Sequence, residues 1–599
     1  ISLKKAQAQK SAQSRQKIAN EYYRNREYEK AAAMYEELYK EQPSYVNYMY
    51  LVYSLVEINE FKKAERYAKK QIRNNPGNLR YVVDLGYIYN AAGEEDKAMD
   101  KYKEALSKLT ADRNKIHQLA NAFESKRESK LAVETYLKGQ KMLDGAYSFN
   151  YELGGIYYRL GKYKEMINAY LDLIGEDESK ISVVQNRLQS VLNNDPDNSI
   201  HDLLRKSLLQ KIQKEPELAL YSEMLLWYSV QEKDFETALS QAIALDKRYQ
   251  GEGQKVYNIA LLSSNNRDYK TAIKAFRYIT GIGEDHLLFV QAKTGLLTNM
   301  YMQLTSQAQT NEKDLKNIEE ELENGLEQLG KNTITISLIR KLAHLKAYYL
   351  NDFGGASALL EEAVELPNIA AVEKAECKLE LADILLYSSM PWDASLLYSQ
   401  VEKAFKNDPL GHEAKFRNAR LSFYIGEYKW AKAQLDVLKA ASSKLIANDA
   451  MEMSLLISDN MDSDSGFRAL AQYSRASLLL FRHKENEALG ILDSLEQSFP
   501  SHPILDEVLF KKAEVMMQTA RYSEADSLYQ VIIDFYSEDI LADNALFKRA
   551  ELYHYHYADK DKAMELYQKL LLDFPGSVFT VEARKRYRGL RGDLPKEDV

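Results

Sequence analysis

Small and apolar side chains recur along the first third of the chain at a spacing typical of paired helices. The small residue Ala31 has counterparts at a nearly constant interval, and each has a small or apolar partner twelve positions earlier. The five pairs are Ala19 with Ala31, Val52 with Ala64, Gly86 with Ala98, Ala120 with Ala132, and Gly154 with Met166. Because small residues let two helix axes approach closely, the pattern predicts five consecutive helix hairpins over residues 12–180.

The same pairing returns in the second half of the chain with a longer period. The pairs there are His344 with Ala356, Ala382 with Ala394, Ala419 with Ala431, Ala476 with Ala488, and Ala513 with Ala525. Successive pairs are slightly further apart than in the first array, except for one much longer step between Ala431 and Ala488. That step contains an Asp- and Ser-rich stretch, which predicts an irregular segment or hinge at 447–468. Ala431 is expected to lie buried at a helix crossing.

Between the two arrays the pairing is weaker, although apolar residues keep a helical spacing. Met166 and the next clear anchor, Ala238, are separated by close to two repeat lengths. The stack is therefore expected to continue, and the predicted fold is all-α, an α-solenoid formed as a right-handed superhelix of about 15 helix hairpins. The predicted regions are an N-terminal array of five repeats (1–180), divergent and long-helix hairpins with two repeat-like units (181–336), repeat-like hairpins (337–446), the irregular segment (447–468), and C-terminal hairpins with a capping helix (469–599).

Composition narrows the possible functions. The 599 residues include 11 prolines and 43 tyrosines and carry a net charge of −8 without a concentrated basic face, so nucleic-acid binding is not expected. No apolar run approaches the roughly 18 residues of a membrane span, so direct membrane insertion is not expected either. Cys377 is the single cysteine and is expected to be a small buried residue. The chain begins at Ile1 without a methionine, and we expect that a leading segment has been removed.

No sequence feature points to catalysis. Gly-rich phosphate loops, HExxH, GxSxG and paired CxxC motifs do not occur. His554 and His556 would point about 200° apart on a helix and could not share a metal ion. The tryptophans, expected to fill the core near hairpin crossings, are Trp227, Trp392 and Trp430. We therefore expect no catalytic residue, no cofactor and no metal, and the remote alternative is an enzyme with its site in 181–217 or 284–330.

The stretch from Ile18 to Pro43, IANEYYRNREYEKAAAMYEELYKEQP, carries a more specific pattern. It combines small residues at Ala19 and Ala31 with aromatic residues at Tyr22 and Tyr35 and a closing proline. This order resembles the tetratricopeptide repeat, or TPR. The resemblance implies helix pairs that stack on one another and present a face for binding other proteins.

The last hairpins carry a second resemblance. They contain SFPSHPILDEVLFKKAE and AMELYQKLLLDFPGSVFTVEAR, which look like the longer TPR variant of BamD- and CpoB-type envelope proteins. The whole chain also resembles large TPR proteins of Bacteroidota. These resemblances imply a non-enzymatic protein–protein interaction scaffold in the periplasm, associated with the outer membrane and linked to assembly of an outer-membrane or envelope complex. The alternative is a cytoplasmic TPR adaptor.

In a TPR, positions 2, 5, 9 and 12 of the first helix of each pair face the binding groove. In the first five repeats these positions carry mainly tyrosine and asparagine. The predicted groove residues are Asn20, Tyr23, Met49, Tyr53, Arg80, Tyr87, Asn90, Asn114, His117, Asn121, Tyr151 and Tyr158. Tyrosine supplies contact area, and asparagine can pair with both the N–H and the C=O of an extended backbone. The expected partner is therefore a protein or an extended peptide segment read mainly through its main chain.

This groove can be tested at two tyrosines. Replacing both Tyr53 and Tyr87 by alanine is expected to weaken partner capture by about 1 kcal/mol or more while leaving the helices intact. The alternative is that tyrosine is simply the habitual filler of this repeat. A carboxylate clamp of the kind that binds chaperone C-termini is not expected, because only Asn20 and Arg80 match its positions and the acidic Asp84 would repel a terminal carboxylate.

Overall fold

The computed structural model describes residues 14–195, 197–307, 310–439, 444–461 and 467–592. All regular secondary structure in these ranges is helical, which confirms the predicted all-α repeat fold. Contacts divide the chain into two compact units, Ile1–Asp234 (unit 1) and Phe235–Val599 (unit 2). The start of the chain, where a removed leading segment was expected, lies outside the described residues.

Unit 1 is built from consecutive helices in which each of the first five pairs has an earlier helix A and a later helix B. The helices are α1 (14–24), α2 (Tyr28–Glu41), α3 (Tyr45–Glu57), α4 (Phe61–Asn74), α5 (Arg80–Ala91), α6 (Glu95–Ser107), α7 (Arg113–Ser125), α8 (Ser129–Met142), α9 (Asn150–Arg159), α10 (Tyr163–Glu176), a 3₁₀ turn (Glu178–Lys180), α11 (Ile181–Leu192), α12 (Ser199–Lys214) and α13 (Ala219–Gln231). Side chains that accept backbone N–H groups fix some of the helix starts, as Ser44 does for α3 and Asp112 for α7.

Unit 2 continues in the same manner with longer repeats. Its helices are α14 (Phe235–Tyr249), α15 (Gln254–Asn265), α16 (Tyr269–Thr280), α17 (Phe289–Thr305), α18 (Glu312–Leu329), α19 (Ile336–Tyr348), α20 (Phe353–Val364), α21 (Ala371–Tyr387), α22 (Pro391–Ala404), α23 (Pro409–Tyr424), α24 (Tyr428–Leu438), α25 (Lys444–Met461), α26 (Arg468–Phe481), α27 (Glu485–Ser498), α28 (Leu505–Gln518), α29 (Tyr522–Phe535), α30 (Ala542–Glu551), a π-helical turn (Leu552–His556), α31 (Lys560–Asp573) and α32 (Thr580–Arg591). Prolines at the first position of α22 and α23 suit a helix start, where no intrahelical N–H is needed.

The small residues that define the repeat lie where paired helices touch. A Cβ atom added to Gly86 would lie 2.4 Å from Cε1 of Tyr102, and one added to Gly154 would lie 2.4 Å from Cε1 of Tyr170. These glycines therefore admit the aromatic ring of the facing helix B. In unit 2 the side chain of Ala431 is fully buried, as predicted.

The divergent segment after the fifth repeat is also helical. Helices α11 and α12 both pack on α10, and α12 also packs on α13. Lys211 of α12 lies 2.7 Å from the Asp172 carboxylate of α10 and 3.1 Å from Glu215. The boundary between the units follows α13, at Asp234. The predicted regions mark changes of repeat type, which a division by contacts does not test, and apart from the irregular segment at 447–468 they stay predictions.

The prediction of an irregular segment at 447–468 is wrong over most of its length. Helix α25 runs from Lys444 to Met461, and residues 462–466 lie outside the described residues. The buried side chains Ile446, Ala450 and Ile457 recur at helical spacing, so α25 has an apolar face that the Asp- and Ser-rich composition concealed. Its role as a hinge stays a prediction.

Two tryptophans do not fill the core as predicted. Trp392 is 71% exposed and Trp430 is 61% exposed, whereas Trp227 is half-buried against the core of unit 1. Trp392 precedes the buried Ala394 by two residues and Trp430 directly precedes the buried Ala431, so helical rotation of about 100° per residue turns both rings away from the crossing.

The described ranges also bear on the expectations for metal ligands, for Cys377 and for membrane spans. No group of three or more metal-ligating side chains is found there, and His556 stacks on Tyr522 with ring centroids 4.4 Å apart. Cys377 is fully buried, and burial raises the pKa of its thiol to about 11. In the same ranges, helices are too short or too polar to cross a bilayer.

Candidate protein-binding surface

The twelve predicted groove residues all lie on the A helices of unit 1, and we call the surface they define the helix-A face. They are distributed as Asn20 and Tyr23 on α1, Met49 and Tyr53 on α3, Arg80, Tyr87 and Asn90 on α5, Asn114, His117 and Asn121 on α7, and Tyr151 and Tyr158 on α9. The structure brings several of them together in two groups. One group surrounds a buried lysine and the other lines an open cleft.

The first group, the lysine cluster, consists of Tyr53, Tyr87, Asp84 and Lys126. The Lys126 ammonium lies 4.1 Å from the ring centroid of Tyr53 and 4.8 Å from that of Tyr87, and the two rings meet edge to face at 5.6 Å. Lys126 Nζ donates a hydrogen bond of 2.8 Å to the Tyr53 hydroxyl and forms an ion pair of 2.8 Å with Asp84. One cation thereby joins three successive repeats.

The lysine cluster is buried, so its charges stabilise the fold and are not open to a partner. The side chains of Lys126 and Asp84 are each 1% exposed. Burial raises the pKa of the Asp84 carboxyl group, and the nearby Lys126 charge opposes that shift. Breaking such a pair leaves an uncompensated buried charge, so the Asp84 carboxylate stabilises the fold. The sequence aligned Asp84 with an open clamp position, where it would repel a terminal carboxylate, but the structure buries it.

Because of the lysine cluster, the double variant Tyr53→Ala, Tyr87→Ala does not test partner binding alone. Tyr53 is both a predicted groove residue and a hydrogen-bond acceptor of Lys126, and Tyr87 covers the same ammonium. Removing both rings would expose a charge that is now held in a dry site. Weaker partner capture by that double variant would therefore not distinguish lost contacts from a disturbed fold, and its expected effect on binding stays a prediction.

Other predicted groove residues of the first repeats are also engaged within unit 1. The Tyr35 hydroxyl donates to Asn20 Oδ1 at 2.5 Å, and the Tyr23 ring packs edge to face on Tyr50 at 5.0 Å. Burial, followed by the influence of neighbouring tyrosines, raises the pKa of Tyr23 to about 12. The Arg80 guanidinium stacks over the Tyr45 ring at 4.2 Å, and Met49 is half-buried. Asn90 and Asn114, in contrast, are exposed.

The second group forms the polar cleft, an opening of about 340 Å³ between α7, α9 and α11. Its predicted residues are His117, Asn121, Tyr151 and Tyr158. Tyr151 is 38% exposed and Tyr158 is 42% exposed, so their rings offer contact area to a partner. Asn121 is exposed beside them and has the donor and acceptor groups that an extended backbone can use.

Charged side chains that the sequence pattern did not indicate complete the polar cleft. Arg159 forms an ion pair with Glu124, and Arg187 Nη2 donates to the Tyr151 hydroxyl at 3.0 Å. Glu152 lies 3.9 Å from the His117 ring nitrogen. Since each carboxylate has a nearby cation or imidazole, the polar cleft combines both signs of charge with tyrosine rings.

Hydrogen bonds hold the floor of the polar cleft in place. The Tyr136 hydroxyl lies 2.8 Å from Nδ1 of His117, and the Tyr136 ring is fully buried. Burial, followed by the charges of Glu152 and Glu124, raises the pKa of Tyr136 well above its usual range, so the hydroxyl stays protonated. A binding surface fixed in this way loses little side-chain entropy when a partner arrives.

Sequence reasoning missed Lys126, Glu124, Arg159 and Arg187. Lys126 and Arg159 lie at the ends of A helices, outside the four positions that define the groove of a TPR. Asp84 was the available signal for Lys126, because an acidic residue between buried positions of a helix must find a cation. Nothing comparable indicated Arg187, which comes from the divergent helix α11.

Comparison with known proteins identifies repeats in parts of the chain. The family model described as tetratricopeptide repeat matches residues 17–52 and 51–114, and a second model with the same description matches 544–577. No curated protein sequence matches the chain.

The solved structures that match this chain include three with low identity and low TM-score. The structure of Naa15/Naa10 bound to HypK-THB is 13% identical to this chain with a TM-score of 0.27. The match covers 98% of this chain and 95% of the other. Yeast Tom70 is 13% identical with a TM-score of 0.26 over 98% and 99%. The APC/C hetero-tetramer Cut9-Hcn1 is 12% identical with a TM-score of 0.22 over 95% of each. The segments 17–114 and 544–577 of this chain therefore match models of the tetratricopeptide repeat.

Proposed function

We propose that this chain is a non-enzymatic scaffold that binds a segment of a partner protein at the polar cleft of unit 1. The observation that carries the proposal is the contrast within the helix-A face. Tyr23, Tyr53 and Tyr87 are held in internal contacts, whereas Tyr151 and Tyr158 are exposed at the rim of an open cleft. The binding surface is therefore centred on α7 and α9.

The chemistry of the polar cleft suits a protein segment with mixed polarity. Exposed tyrosine rings provide apolar contact with few rotatable bonds, and Asn121 can pair with a main-chain amide. Glu124 and Arg187 present an acceptor and a donor on opposite sides of the opening. A partner bound there would exchange water for these fixed polar groups without reorganising the A helices.

We further propose that the scaffold works in the periplasm, associated with the outer membrane, in the assembly of an envelope complex. Support comes from the resemblance of the C-terminal hairpins to BamD- and CpoB-type proteins and from the resemblance of the whole chain to Bacteroidota TPR proteins. Fractionation of the native cell with an antibody against the chain tests the location. Recovery in the cytoplasmic fraction alone would favour the cytoplasmic adaptor.

Site-specific photo-crosslinking in the native cell tests the binding surface. A photoreactive phenylalanine analogue at Tyr158 is expected to give discrete higher-mass adducts with partner protein. The same analogue at Met99, an exposed residue of the helix-B side on α6, serves as the matched control and is expected to give none of them. Identical adducts at both positions, or adducts at neither, would contradict binding at the polar cleft.

A further inference from the structure

The last hairpin of unit 2 exposes three large apolar side chains around the turn between α31 and α32. Leu572 lies at the end of α31, Val578 lies in the turn, and Val581 lies in the first turn of α32. Each of the three side chains is at least 70% exposed. Side chains this exposed protrude from the surface, so they are not loosely packed parts of the core.

Internal contacts hold this turn in a fixed position. The ring of Phe579, which lies between the two valines in the sequence, stacks on the ring of Phe547 with centroids 4.6 Å apart. The Phe579 main-chain N–H donates to the Ser577 hydroxyl oxygen at 3.1 Å, and the Thr580 main-chain N–H donates to the Ser577 carbonyl oxygen at 3.2 Å. One side chain of the turn is therefore anchored inward while its neighbours are presented outward.

Helix α32 adds a basic stripe next to these apolar side chains. Arg584, Lys585 and Arg588 are exposed, and they follow Val581 by three, four and seven positions, which places all four on one helix face. The opposite face packs inward through the fully buried Ala583. The three cations form no ion pair within the described part of the chain. We call the combined surface the cap patch, and it consists of Leu572, Val578, Val581, Arg584, Lys585 and Arg588.

Nearby carboxylates do not cancel the charge of the cap patch. Glu582 lies 2.8 Å from the guanidinium of Arg586, which also lies 2.7 Å from Glu551, so these charges compensate one another. Asp573 is exposed at the end of α31, and Lys569 is exposed four residues before it. The cap patch therefore keeps an excess of positive charge, which the net charge of −8 for the whole chain does not reveal.

This combination fits the surface of an anionic lipid bilayer better than the other partners that cations attract. A nucleic acid neutralises cations through its phosphates, but its backbone offers no apolar layer for protruding leucine and valine side chains. A second copy of the chain would bring an identical positive patch against this one. A bilayer accepts protruding apolar side chains at the headgroup boundary without a matching pocket, and anionic headgroups attract the adjoining cations.

We propose that the cap patch docks the chain on an anionic phospholipid surface. Its apolar side chains enter the headgroup boundary, and its three cations lie against lipid phosphates. This contact is peripheral and requires no helix to cross the bilayer. The proposal is independent of the polar cleft in unit 1 and does not rest on the location or function proposed above.

Co-sedimentation of the full-length chain with vesicles tests the proposal. Vesicles of phosphatidylcholine alone are compared with vesicles that also contain phosphatidylglycerol, which is anionic. The chain is expected to bind the anionic vesicles about tenfold more strongly, and high salt should remove this advantage. The full-length chain retains 593–599, whose acidic side chains can compete with lipid in the assay. Binding of polyglutamate and of duplex DNA is measured separately and should be weaker than binding of the anionic vesicles.

A charge variant connects the lipid preference to α32. Arg584→Gln with Lys585→Gln and Arg588→Gln should reduce binding to anionic vesicles by about tenfold or more, since each basic residue near such a surface contributes roughly fivefold. Binding to phosphatidylcholine alone should stay as weak as for the parent chain.

Helix α4 of unit 1 supplies the matched control, Lys62→Gln with Lys70→Gln and Arg73→Gln. These cations are exposed on one stripe of α4, and this helix, all of which is described, exposes no large apolar side chain. The control removes the same number of charges and should change vesicle binding by less than about twofold, because charge without apolar contact gives weak docking.

An apolar variant tests the second half of the cap patch. Leu572→Ser with Val578→Ser and Val581→Ser should reduce binding to anionic vesicles about tenfold while the remaining binding keeps its salt dependence. All substituted side chains are exposed, so the circular dichroism of each variant should match that of the parent chain.

Four results would each overturn the proposal. They are equal binding to both kinds of vesicle, tighter binding to polyglutamate or DNA than to anionic vesicles, equal losses in the charge variant and the α4 control, and unchanged binding of the apolar variant.

Discussion

Two lysines, Lys126 directly after α7 and Lys341 in α19, have opposite environments. Lys126 in unit 1 is buried with Asp84 at 2.8 Å and two tyrosine rings around its ammonium. Lys341 in unit 2 is half-buried beside one ring and has no carboxylate partner in the described part of the chain. The same residue type is thus paired with a buried carboxylate in unit 1 and forms no ion pair within the described part of unit 2.

The difference shows that repeat position alone does not define a binding surface. A cation whose charge is satisfied within the fold stabilises neighbouring repeats and offers little to a partner. A partly buried cation that forms no close ion pair carries a desolvation cost that the fold offsets less completely. Replacing Lys126 should therefore lower the stability of the fold, whereas replacing Lys341 should leave it nearly unchanged.

The largest expected effect is the loss of the buried pair in unit 1. Lys126→Met should lower the free energy of unfolding by about 3 to 5 kcal/mol, because Asp84 would remain buried without its cation. Urea denaturation followed by circular dichroism measures the change. Lys126→Met combined with Asp84→Leu should regain much of the loss, and a single variant that is as stable as the parent chain would show that the pair is not essential.

The second effect concerns close packing at a repeat crossing. Gly154→Ala in unit 1 should destabilise by about 1 to 3 kcal/mol, because the new Cβ would meet the buried Tyr170 ring at 2.4 Å. Gly490→Ala on α27 of unit 2 is the control, since no atom lies within 4 Å of its added Cβ. That control should stabilise by about 0.5 to 1 kcal/mol through helix propensity, and equal melting shifts for both variants would contradict the predicted crossing.

The third expected effect concerns a buried carboxyl group of unit 2, that of Glu507. Burial and the neighbouring Asp506 raise the pKa of Glu507 to about 10. The folded chain then binds a proton that the unfolded chain releases above its ordinary pKa near 4.5, so this group lowers stability as the pH rises through that range. Glu507→Gln should stabilise by about 1 to 3 kcal/mol at pH 8 and by less at pH 5. A gain that does not depend on pH, measured by denaturation at both values, would argue against a protonated Glu507.

The smallest expected effect is on the stability of the Lys341→Met variant, which compares directly with Lys126→Met. Lys341→Met should change the free energy of unfolding by no more than about 0.5 kcal/mol, because it removes a partly desolvated charge that has no ion pair to lose. The measurement is the same denaturation used for Lys126→Met. A loss as large as that of Lys126→Met would show that Lys341 has a structural role.

Much of the fold was predictable because it rests on side-chain size at fixed spacing. Ala31, Gly86 and Gly154 fit where only small residues allow helix contact, and a single sequence records that requirement directly. Helix α25 was missed because its buried face of Ile446 and Ile457 is interrupted by polar residues that are typical of loops.

The candidate sites were predictable only in part. Helical geometry placed Tyr151 and Tyr158 correctly on an A helix, but it could not show that Tyr53 and Tyr87 cover a lysine from another repeat. The contact between Lys126 and Asp84 joins residues of different repeats, and its formation depends on the reach of a long side chain across the stack. Such pairings follow from tertiary packing, which a repeat pattern does not specify.

Helix α25, which lies in the longer step between Ala431 and Ala488, also bears on how unit 2 unfolds. In a regular array each repeat contacts only its neighbours, so unfolding can proceed from one end with low cooperativity. The hydrogen bond from Tyr387 to the main chain of Arg482 joins residues 95 positions apart. Opening either hairpin breaks this bond, so the helices from α21 to α27 should exchange their amide hydrogens as one cooperative block, while the outer hairpins of unit 2 fray separately.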